Sequence, residues 1–295
     1  MPIKLLATDL DGTFLDHDGT VSEGNKQALT AARTAGLEVV FVTGRPPRWL
    51  PGIIEATSFD GTIVSANGGI VVDAHRRQVV QTYPMSTDAA REGISNLLAV
   101  LPGLEFGVER STVGMKLAAP ADVHAIPRPQ HEISPNNEFA MTAGYQPRFT
   151  NPSPDVPIGD IFDLVAGDRA VKIVARPPRG NTLTADQLLE IFTEALDGIL
   201  QPTHSNIYDV LLEISALGVT KGTTLAKVAA EKGYDATEVA AVGDMPNDLP
   251  MLEWAGTPYV VANAHPMLLA QFERQLAAND EDAVGRLLLD LAGEL

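Results

Sequence analysis

An apolar run, Leu5-Leu6-Ala7-Thr8, leads directly into two carboxylates one residue apart, Asp9 and Asp11, and then into a Gly12-Thr13 turn. A short apolar run bounded by turn residues reads as a buried strand. Open α/β sheets bind ligands beyond the carboxyl ends of their strands, so this strand delivers both acids to where chemistry takes place. Asp and Gly also end strands in ordinary turns. Taken alone the motif leaves the two readings level, and three further segments tip the balance.

The first is the strand Leu37 to Val42, which stops at Thr43-Gly44-Arg45-Pro46. Glycine lets a backbone approach a ligand closely, and a proline soon afterwards suits the first turn of a helix whose free N–H groups attract phosphate. Thr43 and the amide of Gly44 are therefore candidate phosphate donors, with a Thr-capped turn as the plainer alternative. The second is Gly218-Val219-Thr220-Lys221-Gly222, a lone cation opening an amphipathic helix. A Lys in the first turn opposes the helix dipole and asks for a nearby anion, although solvated surface lysines are the commoner case. The third is the apolar strand Val239 to Val242, followed by Gly243, Asp244, Asn247 and Asp248. Such a cluster of hard oxygens is what Mg²⁺ prefers. A helix cap would account for Asn247 or Asp248 but not for Asp244.

These four segments, in this order, resemble the haloacid dehalogenase superfamily of phosphohydrolases. The run Gly243 to Leu252 is similar to the Cof-type branch, in which a large cap is inserted between the second and third motifs. Ala66-Asn67-Gly68-Gly69 and Asn263-Ala264-His265-Pro266 extend the match to both ends of the chain. The resemblance implies a Mg²⁺-dependent phosphatase of small, sugar-phosphate-like phosphomonoesters. Asp9 would attack phosphorus in line to give an aspartyl-phosphate, and Asp11 would protonate the leaving oxygen and then activate water. Mg²⁺ would be held by Asp9, the backbone carbonyl of Asp11 and Asp244, with Asp248 close by or bridged through water. Thr43, Gly44, Lys221 and Asn247 would hold the phosphoryl oxygens, Thr43 and Lys221 acting with the two acids in catalysis. Two alternatives stay open: a phosphoryl transferase similar to the phosphomannomutase relatives, and a sugar-phosphate-binding protein without activity. The second should have lost Asp9, Asp11 or the metal carboxylates, and all remain. Small departures are the missing methionine and glycine before Asn263-Ala264, and Ala283 where related chains usually show glycine.

With 295 residues and 45% apolar content, the chain can build two cores. Twenty-one basic against 38 acidic residues leave a net charge of −17, which argues against nucleic acid as a partner. A small phosphorylated metabolite stays open, because one Mg²⁺ and one Lys can reverse the field in a single cleft. The absence of cysteine excludes disulfides, thiolate nucleophiles and Cys-ligated metals. The six histidines lack the spacing of a zinc site. No basic leader with a cleavage site is present, and no run approaches the roughly 18 apolar residues of a membrane span. A cytoplasmic protein with no membrane partner is expected, of unknown oligomeric state.

From 1 to 83, strands alternate with helices: Ile3 to Thr8, a helix Glu23 to Ala35 capped by Ser22 and stopped by Gly36, Glu38 to Val42, a helix Arg48 to Ala56, and Thr62 to Ser65. Such alternation predicts a parallel sheet with helices on both faces. Thr13 to Val21 reads as a hairpin-like flap that helps exclude water. From 84 to 215 the texture changes to a helix Thr87 to Val100, a stretch with eight prolines between 120 and 157, a strand Ala170 to Ala175, a helix Thr184 to Leu196 and a strand Tyr208 to Ile214. So many prolines mean loops or edge strands. The rhythm returns from 216 to 295, with strands Val239 to Val242 and Tyr259 to Val261. The expected fold is a doubly wound, Rossmann-like α/β core from 1–83 and 216–295, with 84–215 as an inserted α+β cap that closes on two linkers. Asn67, Gly68 and Gly69 are a plain turn or a substrate contact, and His124, Arg128 and His131 are further candidates in the cap. Arg45 and Arg48 could reach substrate, although surface arginines are the commoner case.

Overall fold

The structure, a computed structural model, describes residues 2–117, 131–132, 138–147, 151–152, 154–207 and 209–294. The chain first lays down β1 (Leu5–Thr8), α1 (Glu23–Thr34), β2 (Glu38–Val42), α2 (Pro51–Thr57), β3 (Thr62–Ser65), β4 (Ile70–Asp73) and β5 (Gln78–Thr82). It then leaves for a second sheet through α3 (Thr87–Val100), β6 (Glu105–Arg110), β7 (His131–Glu132), β8 (Phe139–Met141), β9 (Asn151–Pro152), α4 (Ile161–Leu164), β10 (Ala170–Arg176), α5 (Ala185–Ala195), β11 (Leu200–Thr203) and β12 (Leu212–Ala216). It returns as α6 (Lys221–Glu231), β13 (Val239–Gly243), α7 (Leu249–Trp254), β14 (Thr257–Val261), α8 (Pro266–Gln271), β15 (Gln275–Leu276) and α9 (Ala283–Ala292).

The first and last parts share one sheet, ordered β15-β14-β13-β1-β2-β3-β4-β5. Its pairs are parallel from β15 to β3 and antiparallel from β3 to β5. β1 and β13 are buried at every position, as strands covered on both faces have to be. β1 lies where the strand order reverses, which is where ligands bind in such sheets. Thr8 is in register with Phe41 on one side and Val242 on the other, so three adjacent strand tips carry Asp9, Thr43 and Asp244 onward.

Local chemistry explains the boundaries. The Ser22 hydroxyl accepts from the Asn25 amide to start α1, and Gly36, at φ 100°, ends it in a conformation that favours glycine. Two expectations need correction, and one pair of strands is unexpected. The helix expected over Arg48 to Ala56 is a short 3₁₀ turn, Pro47–Trp49, followed by α2, because Pro51 takes the first position of a new helix. The antiparallel pair β4–β5 went unread: two apolar runs flank a tight turn in which Arg77 adopts φ 48°. Thr13 to Val21 forms no paired strands. Leu10–Phe14 makes a helical turn, and Asp16 closes the next one by accepting from the amide and hydroxyl of Thr20.

The second sheet is antiparallel, in the order β11-β12-β10-β6-β8. One face carries Phe106, Val108, Ile173, Ala175, Leu212 and Ile214 into a core with Ile94 and Leu97 of α3 and Leu188 and Phe192 of α5. Strand alternation sends Glu109, Lys172, Val174 and Glu213 to the opposite face. There Val174 joins Phe139, Met141 and Tyr145 in a separate apolar cluster. The last strand begins at Leu212; Tyr208, His124 and Arg128 lie outside the described residues, and His131 falls in the two-residue strand β7. No helix among the described residues is long and apolar enough to cross a membrane.

Among the described residues, Val171 of β10 packs into the core of the first sheet, and two buried polar contacts also join the sheets. Arg48 Nη2 donates to Glu109 Oε1 at 2.9 Å, its Nη1 also pairs with Glu109, and the guanidinium lies 4.6 Å from the Phe139 ring. Lys172 Nζ donates to the carbonyl of Gly44 at 2.7 Å. Removing one partner of a buried ion pair strands the other charge, whereas replacing both is far milder. Arg48→Met is expected to cost about 3–5 kcal/mol in denaturant unfolding, and Arg48→Met with Glu109→Leu to recover most of that loss.

Candidate active site

The tips of β1 and β13 hold their carboxylates by close packing rather than by long side-chain reach. Asp9 extends the ladder by donating its amide to the Val242 carbonyl at 3.0 Å. The loop then passes so near β13 that a Cβ on Gly12, already at φ +79°, would stand 2.4 Å from Asp244 Oδ2. Asp244 Oδ1 accepts from the Thr13 hydroxyl at 2.9 Å. Asn263 secures the same loop, donating to the Gly12 carbonyl at 2.8 Å and accepting from the Asn279 amide at 2.9 Å. Asp248 folds back under β13, where its Oδ2 accepts from the amides of Asp244 and Met245 at 3.0 Å each.

Lys221 is the first residue of α6, started by a capping box between Thr220 and Thr223. Its Nζ donates to Asp9 Oδ1 and to Asp248 Oδ1, both at 2.6 Å. The ammonium is 1% exposed and Asp248 is fully buried. These two carboxylates are the anions that a cation at a helix start requires, so Lys221 is no surface lysine. Burial would lower its pKa, but Asp248 and Asp9 outweigh that and hold it above the usual value. Burial pushes the Asp9 carboxyl up to about 7, with Asp248 and Asp11 adding to the rise and Lys221 opposing it. Burial, then the charges of Asp9 and Asp248, hold Asp244 well above the usual carboxylate value. Carboxylate oxygens of Asp9, Asp244 and Asp248 lie within 4.8 Å of one another. Three carboxylates against one ammonium leave an excess of negative charge among hard oxygens, a donor set that fits Mg²⁺.

The other expected residues divide. The Asp11 carboxylate turns to Arg45, whose Nε and Nη2 donate to its two oxygens at 2.7 Å each. The Thr43 hydroxyl accepts from the Arg45 amide at 3.1 Å, placing it at the expected loop. Gly44 stands beside it, but no α-helix starts there: the 3₁₀ turn Pro47–Trp49 comes first and α2 begins at Pro51, so the expected helix-end attraction for phosphate at Gly44 is absent. Asn247 donates its Nδ2 to Asn67 Oδ1 at 3.1 Å, tying the loop after β13 to the loop after β3. In that second loop Ala66, Asn67 and Gly68 are consecutive left-handed residues, with φ of 52°, 55° and 99°. A Cβ on Gly68 would stand 2.2 Å from the Thr220 carbonyl oxygen, so the strained turn is clamped against the start of α6.

Sequence reasoning missed two residues here, Lys172 and Glu213, and favoured the wrong setting for two more. Arg45 and Arg48 are 3% and 6% exposed rather than on the surface. Lys172 and Glu213 were passed over as parts of strands. A lone charge inside each apolar strand, Ala170 to Ala175 and Leu211 to Ile214, was the available signal, since a buried charge demands a partner.

Residues 6–288 match the family described as haloacid dehalogenase-like hydrolase. The chain is similar to pyridoxal phosphate phosphatase YbhA of Escherichia coli, at 25% identity over 98% of each chain. It is also similar to 5-amino-6-(5-phospho-D-ribitylamino)uracil phosphatase YwtE of Bacillus subtilis, at 27% identity over 96% of each chain. A solved haloacid dehalogenase-like hydrolase from B. subtilis shares the fold with a TM-score of 0.74 at 21% identity, covering 97% of this chain and 99% of that one. Fold, site and relatives together define a phosphoric monoester hydrolase. The chain belongs to the haloacid dehalogenase-like hydrolase family.

The raised pKa of Asp9 has a stability consequence. An unfolded chain releases this proton near 3.8 and the folded one near 7, so between these values folding takes up a proton and stability falls as pH rises. With divalent metal chelated, Asp9→Asn is expected to raise the melting temperature by about 2–4 °C at pH ~8 and by much less at pH ~4. Equal shifts at both pH values would contradict the assignment.

Proposed function

We propose that this protein is a Mg²⁺-dependent phosphatase of small phosphomonoesters that works through an aspartyl-phosphate on Asp9. The observation that carries this reading is the buried Lys221, joining Asp9 to Asp248 at 2.6 Å each with Asp244 alongside. A merely structural ion pair does not need an uncompensated third carboxylate. The phosphatase names of the relatives support hydrolysis over transfer between hydroxyls.

In this reading Asp9, Asp244 and the carbonyl of Asp11 would hold Mg²⁺, which when bound offsets the carboxylate charge and lets an anionic ester approach. Asp248 acts mainly on Lys221 and on the turn at Asp244, because its oxygens already accept three hydrogen bonds. Lys221 orients one oxygen of Asp9 and leaves the other for in-line attack. Thr43 and the amide of Gly44 hold phosphoryl oxygens, and Lys221 spreads its charge over the same group. Asn247 joins them from the far side, through the amide pair it makes with Asn67. Asp11 gives its proton to the leaving oxygen and later takes one from water, with Arg45 positioning its carboxyl group. Residues 84–215 form the cap over this cleft, and the substrates are small phosphorylated metabolites of the cytoplasm.

Phosphate release from p-nitrophenyl phosphate and a panel of metabolite esters tests the reading. Activity should require Mg²⁺, disappear on chelation, and fall by at least about 10³-fold in Asp9→Asn. Mg²⁺-independent turnover, or an active Asp9→Asn variant, would refute it.

Arg45 supplies a sharper test, because only poor leaving groups need a proton. Arg45→Met should lower kcat/KM for alkyl phosphates by about 10²-fold and for p-nitrophenyl phosphate by less than about 10-fold. Equal losses on both esters would assign Arg45 to phosphate binding instead.

A further inference from the structure

The buried contacts between the two sheets gather where β10 begins. The Ala170 carbonyl accepts from the Met85 amide at 2.9 Å, and a Cβ on Gly69 would stand 2.8 Å from the Val171 carbonyl oxygen. Lys172 and the Arg48–Glu109 pair extend this joint towards β2 and β6. Another polar contact lies on the opposite flank, where β11 is the edge of the second sheet and β14 stands on the far side of β1 from β2. There Asp186, in the first turn of α5, places Oδ1 2.7 Å from His204 Nε2 and Oδ2 3.5 Å from His265 Nε2. His204 follows β11 and His265 follows β14, and their rings stand 6.0 Å apart, edge to face.

An acid in the first turn of a helix ordinarily serves the helix dipole, and nothing further is asked of it. Here two imidazoles converge on it, one from each side. A carboxylate can only accept, so His204 donates from Nε2. Burial keeps the His204 pKa below its usual value against the pull of Asp186, so the donor is a neutral ring. His265 is oriented independently of the second sheet: its Nδ1 accepts from the Met267 amide at 3.3 Å, which puts a proton on Nε2, the atom that faces Asp186. His204 is fully buried and the His265 side chain is 11% exposed, whereas that of Asp186 is 56% exposed. Parting Arg48 from Glu109 would strand two buried charges, but Asp186 returns to water at little cost. The His265 amide, moreover, donates to the Asp244 carbonyl at 2.7 Å, so this contact ends on the loop that carries a metal carboxylate in the reading above.

We propose that Asp186 is the latch of the cap: held by His204, it captures His265 when residues 84–215 close over the cleft, while the buried joint at Arg48 and Lys172 stays in place as the pivot. The proposal rests on the phosphatase reading above, in which those residues cover the site. Asp186 touches neither the phosphoryl group nor the metal in that reading and is a positioning residue. Substrate enters and product leaves between the first turn of α5 and the loop after β14. An ester that binds the closed form has its apparent affinity scaled by the fraction of molecules that are closed. Losing the latch lowers that fraction and eases opening, so binding weakens while product release does not slow.

Hydrolysis of p-nitrophenyl phosphate at saturating Mg²⁺, together with amide hydrogen exchange of the full chain without substrate, tests the latch. Asp186→Ala should raise KM about 3- to 10-fold and leave kcat unchanged or higher. Asp186→Asn should do the same, because one of its two terminal atoms is itself a donor and cannot serve both imidazoles. His265→Ala should match them, and joining it to Asp186→Ala should add no further loss, since both remove one interaction. Exchange in Asp186→Ala should quicken about 3- to 10-fold at residues 265–268, across the joint from the substitution, and stay unchanged at residues 48–50 beside the pivot. A fall in kcat at constant KM, wild-type kinetics in Asp186→Asn, additive losses in the double variant, or quicker exchange confined to the first turn of α5 would each overturn the latch and leave the phosphatase reading standing. Should the wild type hydrolyse no ester, that reading falls and the exchange result alone decides whether Asp186 holds the two parts together. If Asp186→Ala fails to fold, His265→Ala carries the same expectations.

Discussion

Three carboxylates and one ammonium withdrawn from water at the tips of β1 and β13 set the terms for the rest of the structure. Unpaired charges are too costly to bury, so every neighbour is constrained to serve them. Gly12 and Gly243 lack side chains where Asp244 and Asp248 press against the backbone: a Cβ on Gly243 would stand 2.5 Å from that of Asp248. Thr13, Asn263 and the amides of Asp244 and Met245 are spent on orienting the same groups. Lys221 reaches Asp9 across 212 positions of chain, so the cluster cannot assemble until the last third has returned to the sheet. Whatever lies between is by necessity an excursion from one sheet. The second sheet is that excursion, built by local antiparallel pairing with an apolar core of its own.

How much of this a reader of the sequence could see depends on where each partner lies. Asp9, Thr43, Lys221 and Asp244 were legible because each stands at the end of an apolar run, where strand periodicity and turn chemistry speak within a few residues. Arg45 and Arg48 were not. An arginine after Gly44 and two prolines looks solvated until Asp11 and Glu109 come round to meet it from 34 and 61 positions away. Lys172 and Glu213 carried a local signal, a charge in mid-strand, that only the pairing of β10 with β12 turns into a contact. The β4–β5 pair was missed for a related reason. Ile70 to Val72 and Val79 to Val80 are short apolar runs, and length alone does not separate an antiparallel edge from the end of a βα unit.

Besides Val171, which packs into the core of the first sheet, the second sheet meets the first through its charged face, and it does so in neutral units. Glu109 and Lys172 are cross-strand neighbours on β6 and β10, yet each is matched elsewhere, Glu109 by Arg48 and Lys172 by Glu213. One contact of each unit falls on the loop from Gly44 to Trp49, so that loop is held from above by the cap side and from below by the strained turn at Asn67. A loop pinned on two sides loses little freedom when it closes on a ligand, which is what a phosphate-binding backbone requires.

The placing of charge also accounts for how a chain of net charge −17 takes an anionic substrate. Long-range fields from exposed carboxylates are screened by salt within about 10 Å, whereas buried groups act at full strength on their neighbours. Inside the cleft the uncompensated charge is confined to Asp9 and Asp244, where a divalent cation can reverse it. The ion pairs Arg48–Glu109 and Lys172–Glu213 add nothing to that balance. On the proposed reading, a phosphoryl group meets attraction at the strand tips once a divalent cation is bound. Phosphate capture on that reading therefore rests on a few buried groups at the strand tips rather than on the charge of the chain as a whole.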